Sequence, residues 1–442
     1  KMITHSKTFD EVWAINAMIG VLKRVDRAFV MDPVSRFFDT GDAGNMTVMM
    51  RETLPVADYP IYTCELDQRA PALIEYPIEE VATDLDCGYF NNTIAYAIAF
   101  AAYNEVDETE VIAIAGKSKG RLAMFSERFG VENLYTDFRE MIEKEAPDII
   151  SVTTQTIHKA EVITFAAENG VKGIFAEKAL CCSLEEADLI REAITTNQVA
   201  FNFGAERRHH DGYQRLRSAI EQGDIGEPKY AFCYWLTDLM KHHSHTIDTL
   251  HFLLGDPAPI WADGKLVLRG DPLDSGNQKG PREGTDMHQR HLPLPLLDNG
   301  RLVPPDGFPF ADPWLDFSRV GYQDGTECVF IPLSRGAEFE VHGTEGRAYS
   351  WDDGNDIRVR RKVKGSSDTN EVRIVPTGES PTVNTVRDLV NELETGQRTR
   401  GNIDVTMQVQ EVEFGLALSH IQNDRISLPI RGAGRQLMVP SH

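Results

Sequence analysis

Two short segments carry side chains whose types suit proton and charge chemistry. The first is Glu177-Lys178-Ala179-Leu180-Cys181-Cys182-Ser183, an acidic and a basic residue that directly follow the apolar run 173–176. An ammonium at the carboxyl end of a parallel strand lies where open α/β sheets bind ligands. There it can stabilise an alkoxide or relay its proton. The plainer alternative is an exposed pair at a loop entrance. The second segment is His242-His243-Ser244-His245-Thr246-Ile247-Asp248, at the start of an apolar pattern that ends at Gly255. An imidazole titrates near neutrality and suits acid–base work, and Asp248, three residues beyond His245, can share its helix face. Adjacent histidines on a short helix start cannot all face one ion, and no carboxylate or cysteine spacing accompanies them, so no metal is expected.

These groups need a scaffold, and the periodicity describes one. From Glu110 to about Phe203, short apolar strands alternate with amphipathic helices, the pattern of a parallel sheet covered by helices. Strands are expected at 110–115, 148–152, 173–176 and 199–203, with helices starting near Gly120, Ala160 and Ser183. Ser183 with Glu186 three residues on has the form of a capping box. A helix over 213–222 closes at Gly223, and Glu227-Pro228 marks a boundary before a strand over 229–235. The stretch 271–312, dense in Pro and Gly, is expected to be a long surface loop. Strands at 328–333, 337–342, 346–351 and 356–362 alternate as an antiparallel sheet with one covered face. Helices over 382–394 and 406–422 and a strand over 426–430 end the chain. Ahead of all this, 11–16, 27–32 and 60–63 read as strands, with a helix between the first two and another over 92–102.

From Glu110 onward the chain resembles the glucose-fructose oxidoreductase, inositol dehydrogenase and MocA family. Glu177-Lys178-Ala179 is similar to that family's EKP motif, whose lysine reaches both the nicotinamide ribose and the substrate hydroxyl. The resemblance gives Lys178 that role and places Glu177 beside the cofactor, with Ala179 standing where the family has proline. Segment 242–248 looks like the family's HxxD, which makes His245 the acid/base that takes the hydroxyl proton and Asp248 a group that orients the ring or lines the sugar pocket. Many members carry an aspartate four residues before that histidine; here the position is Lys241. Segment 152–158 resembles the loop that runs along the cofactor, with Thr154 and Thr156 as contacts and His158 as either a ligand contact or a capping residue. Segment 207–213 is similar to the arginine-containing loop after the next strand, where Arg208 holds cofactor or substrate oxygens. Segments 339–346 and 388–396 are similar to structural landmarks of the family.

The fold so implied is an α/β Rossmann-like parallel-sheet domain followed by an α+β domain with a large open, mostly antiparallel sheet. The domains are expected at 1–109 (an atypical α/β segment that completes the first domain), 110–228 (cofactor) and 229–442 (substrate and oligomerisation). A dinucleotide site wants a GxGxxG turn, whose glycines permit close approach to the pyrophosphate. The chain has Gly88-Tyr89-Phe90-Asn91-Asn92-Thr93, so Gly88 is either a cofactor contact or an ordinary turn glycine. Segment 11–102 also resembles a Rossmann-like family related to an archaeal pterin pyrophosphokinase, through its DEVWAIN, RAFVMD and YFNNTIAYAIA stretches, which points to a fusion. After strand 110–115, where an NAD enzyme presents an acidic residue to the ribose diol, the chain has Gly116-Lys117-Ser118-Lys119. Ammonium and hydroxyl groups in place of a carboxylate favour a 2′-phosphate, so the expected cofactor is NADP in preference to NAD.

Composition bounds the rest. At 442 residues, two or more domains are expected. A net charge of -23 repels nucleic acid and anionic membranes, and the basic run 358–364 alternates like a half-exposed strand. No transmembrane run and no secretory h-region are visible, so a cytoplasmic protein is expected. Six cysteines without CxxC spacing are expected to be reduced, mostly buried thiols. The function expected is an NAD(P)-dependent oxidoreductase acting on the CH–OH group of a sugar, glycoside or polyol, as a homo-oligomer (dimer or tetramer). The alternatives are a catalytically silent sugar- or nucleotide-binding relative and a two-activity fusion.

Overall fold

The computed structural model describes residues 13–15, 27–30, 34–40, 46–59, 61–63, 66–75, 111–274, 294–304, 312–333, 337–354, 356–363, 365–366, 368–376 and 381–441. Its contacts divide the chain into two compact units, residues 1–91 with 277–291 and residues 92–276 with 292–442. In the first unit, strands Trp13–Ile15, Arg27–Val30, Ile61–Thr63 and Leu73–Glu75 pair in parallel in that order. Val34, Phe37, Met50, Leu54, Ile61 and Ala70 form its core. The strands expected at 11–16, 27–32 and 60–63 are present, and Leu73–Glu75 is an addition. The helix expected after the first strand, the helix over 92–102 and the turn at Gly88 lie outside the described residues.

The second unit begins with alternating strands and helices: β1 (Ala113–Ala115), α1 (Lys119–Phe129), β2 (Asn133–Tyr135), α2 (Phe138–Glu145), β3 (Ile149–Val152), α3 (Thr156–Glu168), β4 (Gly173–Ala176), α4 (Leu184–Thr196), β5 (Ala200–Phe203) and α5 (Asp211–Glu221). β1 pairs with β2, and β3, β4 and β5 form a second parallel sheet in that order. β4 and β5 are buried along their whole length, which explains why their sequences are continuous apolar runs rather than alternations. β2 and α2 were not anticipated. They are short, and Ile142 is the one residue of α2 that is buried, so their apolar signal is faint. The cap of α4 has the expected form. Ser183 Oγ accepts from Glu186 N at 3.2 Å, and the Glu186 carboxylate accepts from Cys182 N at 2.7 Å and is also held by the Ser183 backbone.

A nine-stranded sheet follows, built from β6 (Pro228–Cys233), β7 (Pro259–Asp263), β8 (Ser318–Tyr322), β9 (Glu327–Phe330), β10 (Phe339–Gly343), β11 (Gly346–Trp351), β12 (Asp356–Lys362), β13 (Thr369–Ile374) and β14 (Ile426–Ser427). Its order is β13-β12-β11-β10-β6-β9-β8-β7-β14, antiparallel except for the central pair β6 and β9. Helices α6 (Ser244–Leu253), α7 (Pro381–Thr395) and α8 (Ile403–Gln422) complete the unit. β14 stops at Ser427, because Pro429 two residues on has no N–H to give the ladder. The expected loop over 271–312 contains a hairpin: Leu296–Asp298 pairs with Arg301–Val303 across Asn299 and Gly300, both with positive φ. Asn-Gly is the residue pair that such a two-residue turn favours. Cys181, Cys182, Cys233 and Cys328 are free and buried. Among the described residues no helix is long and apolar enough to cross a membrane.

Candidate active site

In the pairing register Val152, Ala176 and Phe203 stand level, so the loops that follow β3, β4 and β5 leave one edge of the sheet together. They carry Thr154 and Thr156, Glu177 and Lys178, and Arg207 and Arg208. Thr154 is exposed; Thr156, the first residue of α3, is fully buried. Glu177 N donates to Val152 O at 3.0 Å. Its Oε2 is buried without a hydrogen-bond partner, and Gly204 makes room for it, since a Cβ at Gly204 would lie 2.3 Å from that oxygen. Burial pushes the Glu177 carboxyl up, while Lys178 and Lys159 pull it back.

Lys159, on α3, was not among the expected residues. It is 1% exposed and donates from Nζ to three consecutive carbonyls, Glu177 O at 2.6 Å, Lys178 O at 2.9 Å and Ala179 O at 2.7 Å. The peptide between Lys178 and Ala179 is cis. A buried ammonium is tolerated only when hydrogen-bonded, and these bonds tie the main chain beneath Lys178 to α3. Burial pushes the Lys159 pKa down, against the pull of Glu177. A lysine within a helix next to a histidine gave no periodicity signal that would have singled it out.

His245 sits in the first turn of α6, after the wide helical turn Leu239–His243. Asp312 pins that turn by accepting from Met240 N and Lys241 N, each at 2.9 Å. His242 Nδ1 is fastened to Asp238 Oδ2 at 2.7 Å, and the hydroxyl of Ser244 bonds Met240 O and the Glu413 carboxylate. His245 Nδ1 is buried and has no partner. Burial holds its pKa well below the ordinary value, and Arg207, Lys178 and His242 push in the same direction. The ring is therefore neutral at pH 7 and can accept a proton. Lys178, Lys241, His242 and His245 share one electrostatic neighbourhood, each of the last three being lowered by the Lys178 charge after burial.

Arg208 and Asp248 differ from their expected placing. Arg208 Nε donates to Asp248 Oδ1 at 2.5 Å and Nη2 reaches Asp256 Oδ1 at 2.8 Å, and Arg217 closes the group on Asp256 Oδ2 at 2.9 Å. Arg208 is thus committed to protein carboxylates rather than to cofactor or substrate oxygens, and Asp248 to Arg208 rather than to the His245 ring. The physical reason is burial: two charges removed from water need each other. Its neighbour Arg207 is the arginine whose charge lowers the His245 pKa. It grips Asp353 through Nε at 2.6 Å and Nη2 at 2.7 Å, leaves Nη1 buried without a partner, and acts on His245. Sequence alone could not choose between two adjacent arginines.

At the end of β1, Gly116 N donates to Tyr135 O at 2.9 Å and Ser118 caps α1 by accepting from Arg121 N. Lys117 Nζ lies 3.1 Å from His158 Nε2, so the loop after β1 is linked to the first turn of α3. Gly88 lies outside the described residues. Among those residues no His, Cys, Asp and Glu group is arranged to hold a metal ion.

Residues 87–204 match the family model described as oxidoreductase family, NAD-binding Rossmann fold. A scyllo-inositol 2-dehydrogenase (NAD(+)) of Bacillus subtilis (strain 168) is 31% identical over 137 residues, 31% of this chain and 40% of that one. A myo-inositol 2-dehydrogenase of Thermotoga maritima is 31% identical over 123 residues, 28% of this chain and 36% of that one. The chain thus spans less than half the length of these relatives. Among solved structures, a levoglucosan dehydrogenase in complex with NADH and levoglucosan superimposes with a TM-score of 0.59 at 18% identity, covering 76% of this chain and 96% of that one, a likeness of fold.

Proposed function

We propose, from the match of residues 87–204 to the model of the oxidoreductase family with the NAD-binding Rossmann fold, that the chain is an NAD(P)-dependent dehydrogenase of a sugar, glycoside or polyol. The observation that carries this reading is the His245 imidazole, whose Nδ1 is buried without a partner and whose pKa burial, Arg207 and Lys178 hold low. The donor set also suits a dinucleotide: a buried Glu177 oxygen without a partner, an exposed Thr154, and Gly116, Lys117 and Ser118 at the end of β1. A bound nicotinamide would supply the acceptor for the hydride of the substrate carbon. Lys178 stabilises the alkoxide as the hydroxyl ionises, and His245 takes the proton. Lys159 holds the main chain that aims Lys178. Lys117, Ser118 and His158, with Lys119 beside them, favour the 2′-phosphate of NADP.

Titration of purified protein with NADP and with NAD, followed by nicotinamide fluorescence and by turnover on a panel of polyols, tests the reading. Tighter binding of NAD sinks the cofactor preference. Turnover that survives Lys178→Ala and His245→Ala sinks the catalytic assignment, since general acid–base groups are worth about 10²- to 10⁴-fold. The missing second glycine at Phe90 and the replacement of an aspartate by Lys241 favour the second reading, a silent binding relative, which binding without turnover would identify. We further propose a cytoplasmic homo-oligomer joined through the open sheet. Tyr230, Phe232 and Tyr234 form an aromatic row on it, with ring centroids 6.4 and 6.3 Å apart and Tyr230 49% exposed. Light scattering of Tyr230→Glu should show dissociation.

A further inference from the structure

The segment that carries Lys178 and the turn that leads into His245 are fastened to the same distant stretch of chain. Beyond β14, Arg435 clamps that stretch down: Nε and Nη2 grip the two oxygens of Asp188 on α4 at 2.6 and 2.7 Å, and Nη1 bonds Glu411 Oε1 on α8 at 2.6 Å. Farther on, Val439 N donates to Cys182 O at 2.9 Å, just past Lys178. Ser441 Oγ donates to Asp312 Oδ2 at 3.0 Å, and Asp312 is the carboxylate that accepts from Met240 N and Lys241 N. A second bridge joins the same two segments through α8. Gln410 Oε1 accepts from Cys181 Sγ at 3.4 Å, and Glu413, one turn along the helix, accepts from Ser244 Oγ. Every residue that makes these bonds in the two bridges is buried, at 0 or 1% exposure.

Buried polar groups cost stability unless they are bonded, and apolar side chains of similar volume would pack α8 and the strap as well or better. What the bonds add is geometry, because a hydrogen bond prescribes both distance and direction. We infer that Ser441, acting through Asp312, and Glu413, acting through Ser244, are positioning residues that hold the His245 turn in register with the Lys178 segment. This rests on the dehydrogenase reading above, in which both side chains must reach one substrate hydroxyl. A misplacement of about 1 Å between such groups costs about 10²-fold in rate. Two bridges between the same segments share that task, so either one alone keeps most of the register.

The test uses the full chain with Ser441→Ala, Ser244→Ala and the two combined, each change removing one hydroxyl and little volume. Each single variant should lower kcat for polyol oxidation by about threefold, and the double by about 10²-fold, more than the product of the two. Affinity for NADP and for NAD should be unchanged in all three. Ser441→Thr, which keeps the donor, should recover most of the loss in Ser441→Ala. Hydrogen exchange supplies a readout that needs no turnover: the amides of Met240 and Lys241 should exchange about tenfold faster in the double variant, with those of the nine-stranded sheet unchanged. A lowered urea midpoint with kcat per folded molecule and the exchange of Met240 and Lys241 both intact overturns the inference, as do kcat effects that merely multiply. Should the double variant fail to fold, Ser441→Ala decides: a kcat loss recovered by Ser441→Thr supports the inference, and an unchanged kcat or an unrecovered loss overturns it. Absence of turnover in the parent chain is a failure of the dehydrogenase reading; exchange alone then decides, equal protection of Met240 and Lys241 in the parent and the variants overturning the inference.

Discussion

Arg208 meets Asp248 across 2.5 Å, with side-chain exposures of 1% and 2%, so the aspartate three residues beyond His245 is bound to the neighbouring loop and not to the imidazole. Burial raises the Asp248 pKa to about 6 against the pull of Arg208. Asp248→Ala leaves the Arg208 guanidinium short of one of its two carboxylates. The expected cost is about 3–5 kcal/mol of stability, read by urea unfolding, with kcat of the folded fraction changed far less than by Lys178→Ala. A catalytic collapse at unchanged stability would return Asp248 to the chemistry.

A second expectation concerns pH. The His245 pKa is held well below its ordinary value by burial and by the cations Arg207 and Lys178. The base form therefore persists as pH falls through the usual histidine range, and the acidic limb of kcat/KM for alcohol oxidation should lie below about pH 6.5, the ordinary imidazole value. A limb at or above that pH would show that another group governs the profile.

Stability should also depend on acidity. His209, His243 and His251 are wholly buried, and burial lowers each pKa to about 3. The unfolded chain takes up these protons near pH 6.5 and the folded chain does not, so folding stability is full above that pH and is lost progressively as pH falls toward 3. Three such groups set a limiting slope of about 4 kcal/mol per pH unit. His251→Phe should flatten the curve; an unaltered slope between pH 7 and 5 would count against a neutral His251.

The Lys159 ammonium offers a fourth test. Lys159→Met removes three hydrogen bonds from the main chain of 177–179, and each buried carbonyl left unsatisfied costs about 1–3 kcal/mol. If Lys159 aims Lys178, kcat should fall about 10²-fold, the cost of a small misplacement, while cofactor affinity at the Lys117 end of the site changes little. Stability loss with kcat per folded molecule intact would leave Lys159 a packing residue.

The sequence by itself determined much of the order of elements in the second unit, though not β2, α2, β7, β8 or β13, and the two positions, Lys178 and His245, on which the chemistry is proposed to turn. Both lie at ends of strongly patterned elements: β4 is a continuous apolar run and α6 opens an apolar helix, and a side chain at such an end is placed by local geometry alone. Partnerships between distant segments were decided only by the tertiary structure. Which of Arg207 and Arg208 is tied down by Asp248 and Asp256 was not legible, because those carboxylates lie 40 or more positions along the chain. Lys159 was illegible for the same reason, since its acceptors are carbonyls, which no side-chain pattern records.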